Sequence, residues 1–188
     1  MFFKTFAAAS LLLGATNALP QAEGPLASDA KFSLMALRSA SEVHFAGFKA
    51  AKSSIFLNLP SQGASCDAGD AETATFYLKD GGLYLYAASA TPQQLYADRS
   101  GMGQGKLGYT TGAQPAPTNA ERTGFALDEN NNLTLDGASF LACPNSIDGA
   151  WSVWVSAGVE QPAGNQGCLG ISARAVNAPN PNGCVYTE

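Results

Sequence analysis

Short runs of alternating or β-branched apolar residues recur along the chain, separated by Gly, Asn, Asp or Pro. Alternation with a period of two is typical of β-strands, and these separating residues are typical of tight turns. The single helical candidate is a short one at residues 46–52. The pattern predicts strands at residues 31–37, 54–57, 75–78, 83–86, 95–97, 107–110, 124–127, 133–135, 139–142, 152–156 and 168–173.

Many short strands without a long helical period favour an all-β fold, a single antiparallel β-sandwich or barrel. We assign residues 31–188 to one such domain and expect residues 19–30 to be a loose N-terminal leader. Residues 114–120 carry Pro115 and Pro117 and predict a solvent-exposed loop.

Two segments of the chain resemble each other, at residues 76–85 and 125–135. Each has an apolar triplet, a turn of polar residues or glycine, and a second apolar triplet, which is typical of a β-hairpin. A third copy would indicate a β-trefoil, which remains the alternative fold. Because side chains alternate across a strand, the residues expected on one face are Phe76, Leu78, Leu83 and Leu85 in the first hairpin, and Phe125, Leu127, Leu133 and Leu135 in the second.

The same alternation places Tyr77, Tyr84 and Tyr86 on the opposite face of the first hairpin. In the strand at residues 152–156, Trp154 faces away from the two flanking valines. Exposed aromatic rings of this kind can stack on the apolar faces of sugar rings. The alternative is that the rings pack beneath a loop or a second sheet, with their hydroxyls hydrogen-bonded.

The N-terminus is typical of a secretory signal peptide over residues 1–18. Lys4 precedes an apolar stretch at residues 5–13, and small residues then lead to a predicted cleavage site after Ala18. The apolar stretch has about half of the roughly 20 residues that a membrane-spanning helix needs. We therefore expect an exported protein that is not anchored in a membrane.

All four cysteines follow the predicted signal peptide, which indicates two disulfide bonds in an oxidising compartment. The nearest two have 15 residues between them and no histidine nearby, so the spacing argues against a zinc site. Three pairings are possible. Proximity in the sequence favours Cys168 with Cys184, which leaves Cys66 with Cys143.

Composition and charge narrow the possible partners. Hydrophobic residues make up 46% of the chain and charged residues only 13%, which argues against a coiled coil, a charged disordered tail or a collagen repeat and indicates a chain that folds. The formal net charge is −5 and no run of Lys or Arg occurs, so nucleic acid is not an expected partner. We expect a monomer with no cofactor and no bound metal.

One acceptor sequence for N-linked glycosylation is present, at Asn132. Asn132 and Thr134 should point outward on a hairpin when the neighbouring leucines point inward, which leaves the site accessible to a transferase. The same turn mimics a calcium loop through Asp128, but it has Leu133 where that loop needs glycine and Ser139 where it needs glutamate. The sequence therefore predicts a glycan here and no calcium site.

Catalytic motifs are scarce, and we predict no catalytic residues. The single histidine, His44, lies between Val43 and Phe45 and is interpreted as structural or surface-exposed, and no G-x-S-x-G motif occurs. The glycine-rich run at residues 101–106 matches neither nucleotide-binding pattern and is interpreted as a surface turn. A glycosidase needs only two carboxylates, so a hydrolase remains the alternative, with candidates Asp67, Asp70 and Glu72.

Four runs resemble the phialide cell-wall proteins of filamentous fungi, the PhiA-like family. They read AAKSSIF at residues 50–56, SQGASC at 61–66, YADRSGMGQG at 96–105 and LACP at 141–144. The resemblance extends over most of the chain after the signal peptide. It implies a secreted, non-enzymatic wall glycoprotein needed for phialide and conidium development, from a family that includes IgE-binding allergens.

The order of the four cysteines is also similar to the C-terminal module of Pir-type yeast wall proteins. The intervals here are 76, 24 and 15 residues, and the glutamine-containing repeats that attach Pir proteins to glucan are not seen. We therefore expect wall retention to be non-covalent, with wall polysaccharide as the partner. The candidate contact residues are Tyr77, Tyr84, Tyr86 and Trp154, with Asp98 and Arg99 in an adjacent polar loop.

Overall fold

The computed structural model describes residues 24–188, and within this range the regular structure is β-strand apart from 3-10 turns at Ile147–Gly149 and Pro162–Gly164. The predicted signal peptide and its cleavage site lie outside these residues. No helix within the described range is long and apolar enough to cross a membrane. The strands are β1 (Lys31–Leu37), β2 (Phe48–Ala51), β3 (Ser54–Leu57), β4 (Ser65–Cys66), β5 (Thr75–Lys79), β6 (Gly82–Leu85), β7 (Gln93–Asp98), β8 (Lys106–Thr111), β9 (Phe125–Leu127), β10 (Asn132–Leu135), β11 (Phe140–Cys143), β12 (Trp151–Val155), β13 (Leu169–Asn177) and β14 (Cys184–Val185).

Nine strands close into an antiparallel barrel in the order β1, β5, β6, β7, β8, β3, β12, β11 and β13, with β13 pairing back to β1. Strand direction cannot alternate all the way around a ring of nine. The short strand β3 resolves this conflict, because it pairs with β8 only at Ser54 and Gly108. Beyond it, β8 and β12 pair directly through Lys106 and Trp154, so the direction alternates around the remaining eight strands. The predicted all-β antiparallel fold is confirmed, as a closed barrel.

The remaining strands lie outside the ring. The strand β2 pairs with β3, and the hairpin formed by β9 and β10 extends from β13. The strands β4 and β14 form a separate two-stranded sheet. The segment before β1 is held by buried Asn131, whose side chain accepts a hydrogen bond from the Leu26 amide and donates one to the Gly24 carbonyl.

The interior of the barrel is filled by alternate residues of its strands. In β1, Phe32, Leu34 and Ala36 are buried, while the residues between them face outward and are half-buried. Burial of each large apolar side chain contributes about 1.5–3 kcal/mol. The largest fully buried side chains are Tyr109, Phe32, Phe48, Phe76, Phe140, Leu34, Ile55, Leu57, Leu83, Leu85, Leu95 and Leu133.

Both predicted hairpins form, as β5 with β6 and β9 with β10. Leu78 pairs with Leu83 in the first, and Phe125 pairs with Leu135 in the second, so each apolar set shares one face as expected. The β-trefoil alternative is not adopted, because the described strands close as one ring without a threefold repeat of their pairing.

All eleven predicted strands are present, with ends that shift by up to four residues. The predicted helix at residues 46–52 is wrong, since these residues include β2. Alanine favours helices, but pairing of Phe48 with Leu57 and Ala50 with Ile55 draws this segment into a hairpin with β3. Lys52 and Ser53 connect the two strands with φ values of 48° and 53°, as a two-residue turn with both residues left-handed requires.

The disulfide bonds join Cys66 to Cys184 and Cys143 to Cys168. The pairing favoured by proximity in the sequence is therefore wrong. Strand register explains the result: Cys66 lies opposite Cys184 in the small sheet of β4 and β14. Likewise Ala142 pairs with Leu169, so the adjacent Cys143 and Cys168 meet where β11 and β13 begin to separate.

Candidate functional site

Three tyrosines meet on the outer surface of the barrel, and we call Lys31, Tyr77, Tyr84 and Tyr86 the tyrosine face. Tyr77 and Tyr84 are cross-strand partners, and their rings stack with centroids 5.1 Å apart. The ring of Tyr86 meets Tyr77 edge-on at 6.5 Å. Such pairs are favourable arrangements for aromatic quadrupoles. The sequence prediction that these tyrosines share one face agrees with this geometry.

The ammonium group of Lys31 covers part of the same surface. Its Nζ lies 5.5 Å from the centroid of the Tyr77 ring and 6.0 Å from that of Tyr86, and it donates a hydrogen bond to the Asp29 carbonyl. These are distances typical of cation–π contact. Burial, and secondly the neighbouring Tyr84, raise the pKa of Tyr77, so its hydroxyl stays protonated and able to donate.

The tyrosine rings are half-buried, and within residues 24–188 none of their three hydroxyls makes a hydrogen bond to another residue. The buried tyrosines differ. The Tyr109 hydroxyl donates to the Thr187 carbonyl, and the Tyr186 hydroxyl accepts from the Thr75 amide. The polar edge of the tyrosine face is therefore left to solvent or a ligand.

Trp154 and Asp98 form a separate group. Each is the cross-strand partner of Lys106, so all three outward-facing positions lie side by side on β7, β8 and β12. The Trp154 indole donates to the Ser152 hydroxyl at 2.9 Å. Along β7, Asp98 is four residues from Gln94, the partner of Tyr84, which corresponds to about 13 Å. The structure therefore does not bring this group into the tyrosine face.

Arg99 is held by two carboxylates. Its guanidinium donates to both oxygens of Glu121, with Nε 2.9 Å from Oε1, and to Asp136 Oδ2 at 2.6 Å. These hydrogen bonds lower the pKa of Glu121 and raise that of Arg99. The arrangement ties the loop after β7 to the segment around Glu121 and to the turn after β10.

The glycine-rich loop at residues 100–105 has a packing explanation. Asp98 accepts hydrogen bonds from the Ser100 amide through its carboxylate and from the Gly105 amide through its carbonyl, which closes the loop. A Cβ atom on Gly103 would overlap Asp98, and one on Gly105 would overlap the Val155 carbonyl. Glycine is needed at both positions because the backbones approach closely, as expected for a surface turn.

The largest described cleft, of about 830 Å³, lies beside β1. It is lined by Ser33 and Met35 on the outer side of β1 and by Lys49 of β2. Residues 60–64 and 70–73 also line it, including Asp70 and Glu72. The sequence grouped these two acids with Asp67, but Asp67 does not line the cleft.

Phe45 stands at the edge of this cleft and was missed as a candidate by the sequence analysis. It is 63% exposed, and its ring packs against that of His44 in a tilted arrangement with centroids 3.8 Å apart. His44 in turn accepts a hydrogen bond from the Arg38 amide through Nδ1, which agrees with a structural role. A large apolar residue next to the only histidine was the available signal, but nothing in the sequence shows that its ring faces solvent.

The loop that carries Asp70 and Glu72 is fixed at three points. Buried Gln62 accepts a hydrogen bond from the Ala50 amide and donates one to the Ala71 carbonyl. The Cys66–Cys184 disulfide lies in the middle of the loop. The Asn182 side chain then contacts the backbone of residues 68 and 69. These contacts fix the position of the loop, so the cleft is a stable part of the fold.

Asn132, the predicted glycosylation site, is half-buried, and both polar atoms of its side chain make hydrogen bonds. Its Nδ2 donates to Asp128 Oδ2 at 3.0 Å, and its Oδ1 accepts from Arg174 Nε at 3.1 Å. Hydrogen bonds from the Asn132 backbone and side chain lower the pKa of Asp128. Among the described residues, no group of three His, Cys, Asp or Glu side chains could hold a metal ion.

Comparison with known proteins identifies the relatives of this chain. The PhiA-like secreted protein family matches residues 32–187. Cell wall protein phiA of Aspergillus fumigatus is 62% identical over 157 residues, covering 84% of this chain and 85% of the relative. The protein of the same name from Aspergillus niger is 53% identical, covering 95% of this chain and 97% of the relative. That from Emericella nidulans is 52% identical, covering 98% and 97%.

No solved structure matches the chain. The family match covers nearly all of the barrel, and the identity to each of these relatives is far above the level at which a shared fold is in question. The protein therefore belongs to the PhiA-like family and is a secreted cell-wall protein.

Proposed function

We propose that this protein is non-enzymatic and associates with neutral wall polysaccharide through the tyrosine face. The observation that carries the proposal is the stacked Tyr77 and Tyr84 pair beside Tyr86, with three hydroxyls that lack partners within the described residues. Flat rings with free polar edges match the apolar faces and hydroxyl rims of sugar rings. The barrel interior is filled by side chains, so the outer surface is where a polymer would bind.

A second contact is assigned to Trp154, which lies across Lys106 from Asp98. Its indole nitrogen already donates to Ser152, so the ring would contribute stacking more than hydrogen bonding. Arg99 is engaged by Glu121 and Asp136, and in this proposal it holds the adjacent polar loop in place.

Retention on insoluble β-glucan and on chitin tests the proposal, after removal of any glycan from the protein. The wild type should be retained on at least one of the two polymers. Tyr84→Ala should reduce the retained fraction strongly, and Trp154→Ala should reduce it less. Equal retention of the wild type and the Tyr84→Ala/Trp154→Ala double variant would remove these rings from the binding surface.

A hydrolase of wall polysaccharide is the second candidate, because Asp70 and Glu72 line the largest described cleft. Glycosidases place two carboxylates on opposite sides of the scissile bond. Here both acids belong to one loop with one residue between them, and they are the only carboxylates among the described residues that line this cleft. We therefore favour binding over hydrolysis. Release of reducing ends from purified wall glycan, abolished by Glu72→Gln, would reverse that preference.

We also propose that the protein contributes to phialide and conidium development, carries a glycan on Asn132 and binds IgE. The family resemblance supports the developmental and allergen roles, and the acceptor sequence supports the glycan. A deletion strain with normal conidiation would contradict the first. An unchanged mass after glycosidase treatment, in protein from the native host, would contradict the second. Absence of binding by IgE from sensitised donors would contradict the third.

A further inference from the structure

The outer side of β1 connects the tyrosine face to the large cleft. Lys31, Ser33 and Met35 alternate with the buried residues of this strand and therefore face the same way. Lys31 belongs to the tyrosine face, while Ser33 and Met35 line the cleft. The distance from Lys31 to Met35 along the strand is about 13 Å.

Phe45 lies at the far end of this surface. Its backbone amide bonds to the Ala36 carbonyl at 2.8 Å, which brings it beside the end of β1. Its φ of 65° is unfavourable for a bulky residue, so the surrounding chain holds it in this conformation. The fold thus holds an exposed aromatic ring at the opposite end of β1 from the tyrosine face.

The polar groups between the two aromatic sites suit a neutral ligand rich in hydroxyls. Among the residues that line the cleft, Lys49 and Ser33 supply donors, and Asp70 and Glu72 supply acceptors. This mixture of donors and acceptors, without a strong excess of either charge, gives no preference for a phosphate or a polycation. Sugar hydroxyls, which both donate and accept, can pair with all of these groups.

From this continuity we infer that the tyrosine face and the cleft form one extended binding track for a neutral polysaccharide chain, with Phe45 as its distal stacking platform. This inference rests on the proposed function, since the tyrosines are the first part of the track. A disaccharide is shorter than the track, whereas a hexasaccharide can reach both aromatic sites. Contact at both ends raises affinity through effective concentration without any new type of interaction.

Isothermal titration with soluble oligosaccharides of two and six residues tests the track, in separate chitin and β-1,3-glucan series. The wild type should bind the hexamer of the preferred series at least about tenfold more tightly than the dimer. Phe45→Ala should remove most of this gain and leave dimer affinity unchanged, whereas Tyr84→Ala should weaken both ligands. Met102→Ala is the matched control, because Met102 is an exposed apolar residue outside the cleft.

The outcomes separate the two proposals. If Phe45→Ala binds the hexamer like the wild type while Tyr84→Ala is impaired, the extended track is wrong and the tyrosine face stands. If the wild type binds no oligosaccharide of either series, both proposals fail. A preference for one series identifies which of the two neutral polymers the track recognises.

Discussion

The C-terminal end of the chain and the tyrosine face both present tyrosine side chains, yet they use them in opposite ways. At the C-terminal end, Tyr186 is only 2% exposed and Gln93 also 2%. The Gln93 side chain accepts from the Tyr186 amide and donates to the Tyr186 carbonyl, and the Tyr186 hydroxyl accepts from Thr75. On the tyrosine face the rings are half-buried, and their hydroxyls have no partner within residues 24–188.

The difference separates a region that stabilises the fold from one that is available for binding. Buried polar groups must be paired, because an unpaired one costs about 1–3 kcal/mol. The C-terminal segment meets this demand and packs Tyr186 into the core, with its disulfide to Cys66 as a covalent link. Polar groups at the surface carry no such penalty because water can hydrogen-bond to them. The hydroxyls of the tyrosine face are therefore available to a ligand. Substitutions in the two regions should therefore affect different properties.

The largest loss of stability is expected from Cys66→Ser/Cys184→Ser. This disulfide spans 118 residues, whereas Cys143–Cys168 spans 25. The chain-entropy relation gives a loss of about 5 kcal/mol for the longer loop and about 3.5 kcal/mol for the shorter one. Urea unfolding of the two double variants measures both values. The reverse order would show that the C-terminal segment is less important for the fold than its burial indicates.

A loss of about 3 kcal/mol is expected from Gln93→Met, because it leaves the buried Tyr186 amide and carbonyl without their partner. Gln94→Met is the matched control. Gln94 is the next residue along β7, but it is half-buried and contacts Arg122 at the surface. Thermal unfolding should show a much larger shift for position 93. Similar shifts in melting temperature at both positions would contradict the contrast between the buried C-terminal segment and the solvent-facing tyrosine face.

A smaller, pH-dependent loss of about 0.5 kcal/mol is expected from Glu121→Gln, since this carboxylate is partly exposed. The Arg99 hydrogen bonds lower the pKa of Glu121 in the folded state below its ordinary value of 4.5. The wild type should therefore hold its advantage above pH 4.5 and lose it as the pH falls through the folded-state pKa. Denaturant titrations of both proteins across this range provide the measurement. An advantage that grows on acidification would show that Arg99 does not stabilise the charged form.

The smallest effect on stability, within about 0.5 kcal/mol, is expected from Tyr84→Phe, because its hydroxyl has no hydrogen-bond partner among the described residues. Stacking on Tyr77 is kept, so any weaker retention on polysaccharide reports the hydroxyl alone. A loss of a few-fold in affinity is expected if the hydroxyl meets a sugar. A clear drop in thermal stability would instead place the Tyr84 hydroxyl in a structural role like that of Tyr186.

Prediction from the sequence succeeded where the signal was local. The alternation at residues 31–37 predicted β1 with its observed bounds and identified which of its residues are buried. Prediction failed at residues 46–52, where alanine favoured a helix and pairing with β3 prevailed. It also missed the two-residue strands β4 and β14, which are too short to show a period.

The candidate site shows the same division. Alternation was enough to group Tyr77, Tyr84 and Tyr86, because they lie on one hairpin. The position of Trp154 relative to the three tyrosines depends on the order of five strands around the ring, and no local sequence pattern determines that order. Phe45 could not be found from the sequence, because its exposure depends on a turn with positive φ and on the bond of its amide to the Ala36 carbonyl, which the local pattern does not show.

The amino-acid sequence by itself determined the class of fold, the positions of most strands and the face on which each side chain lies, because these follow from a period of two along the backbone. Only the tertiary structure decided the disulfide pairing, the closure of the barrel through β3 and the continuity of the tyrosine face with the cleft. Those features depend on the register between strands that are far apart in the chain. Register is set by the joint packing of the whole core, which no single segment encodes.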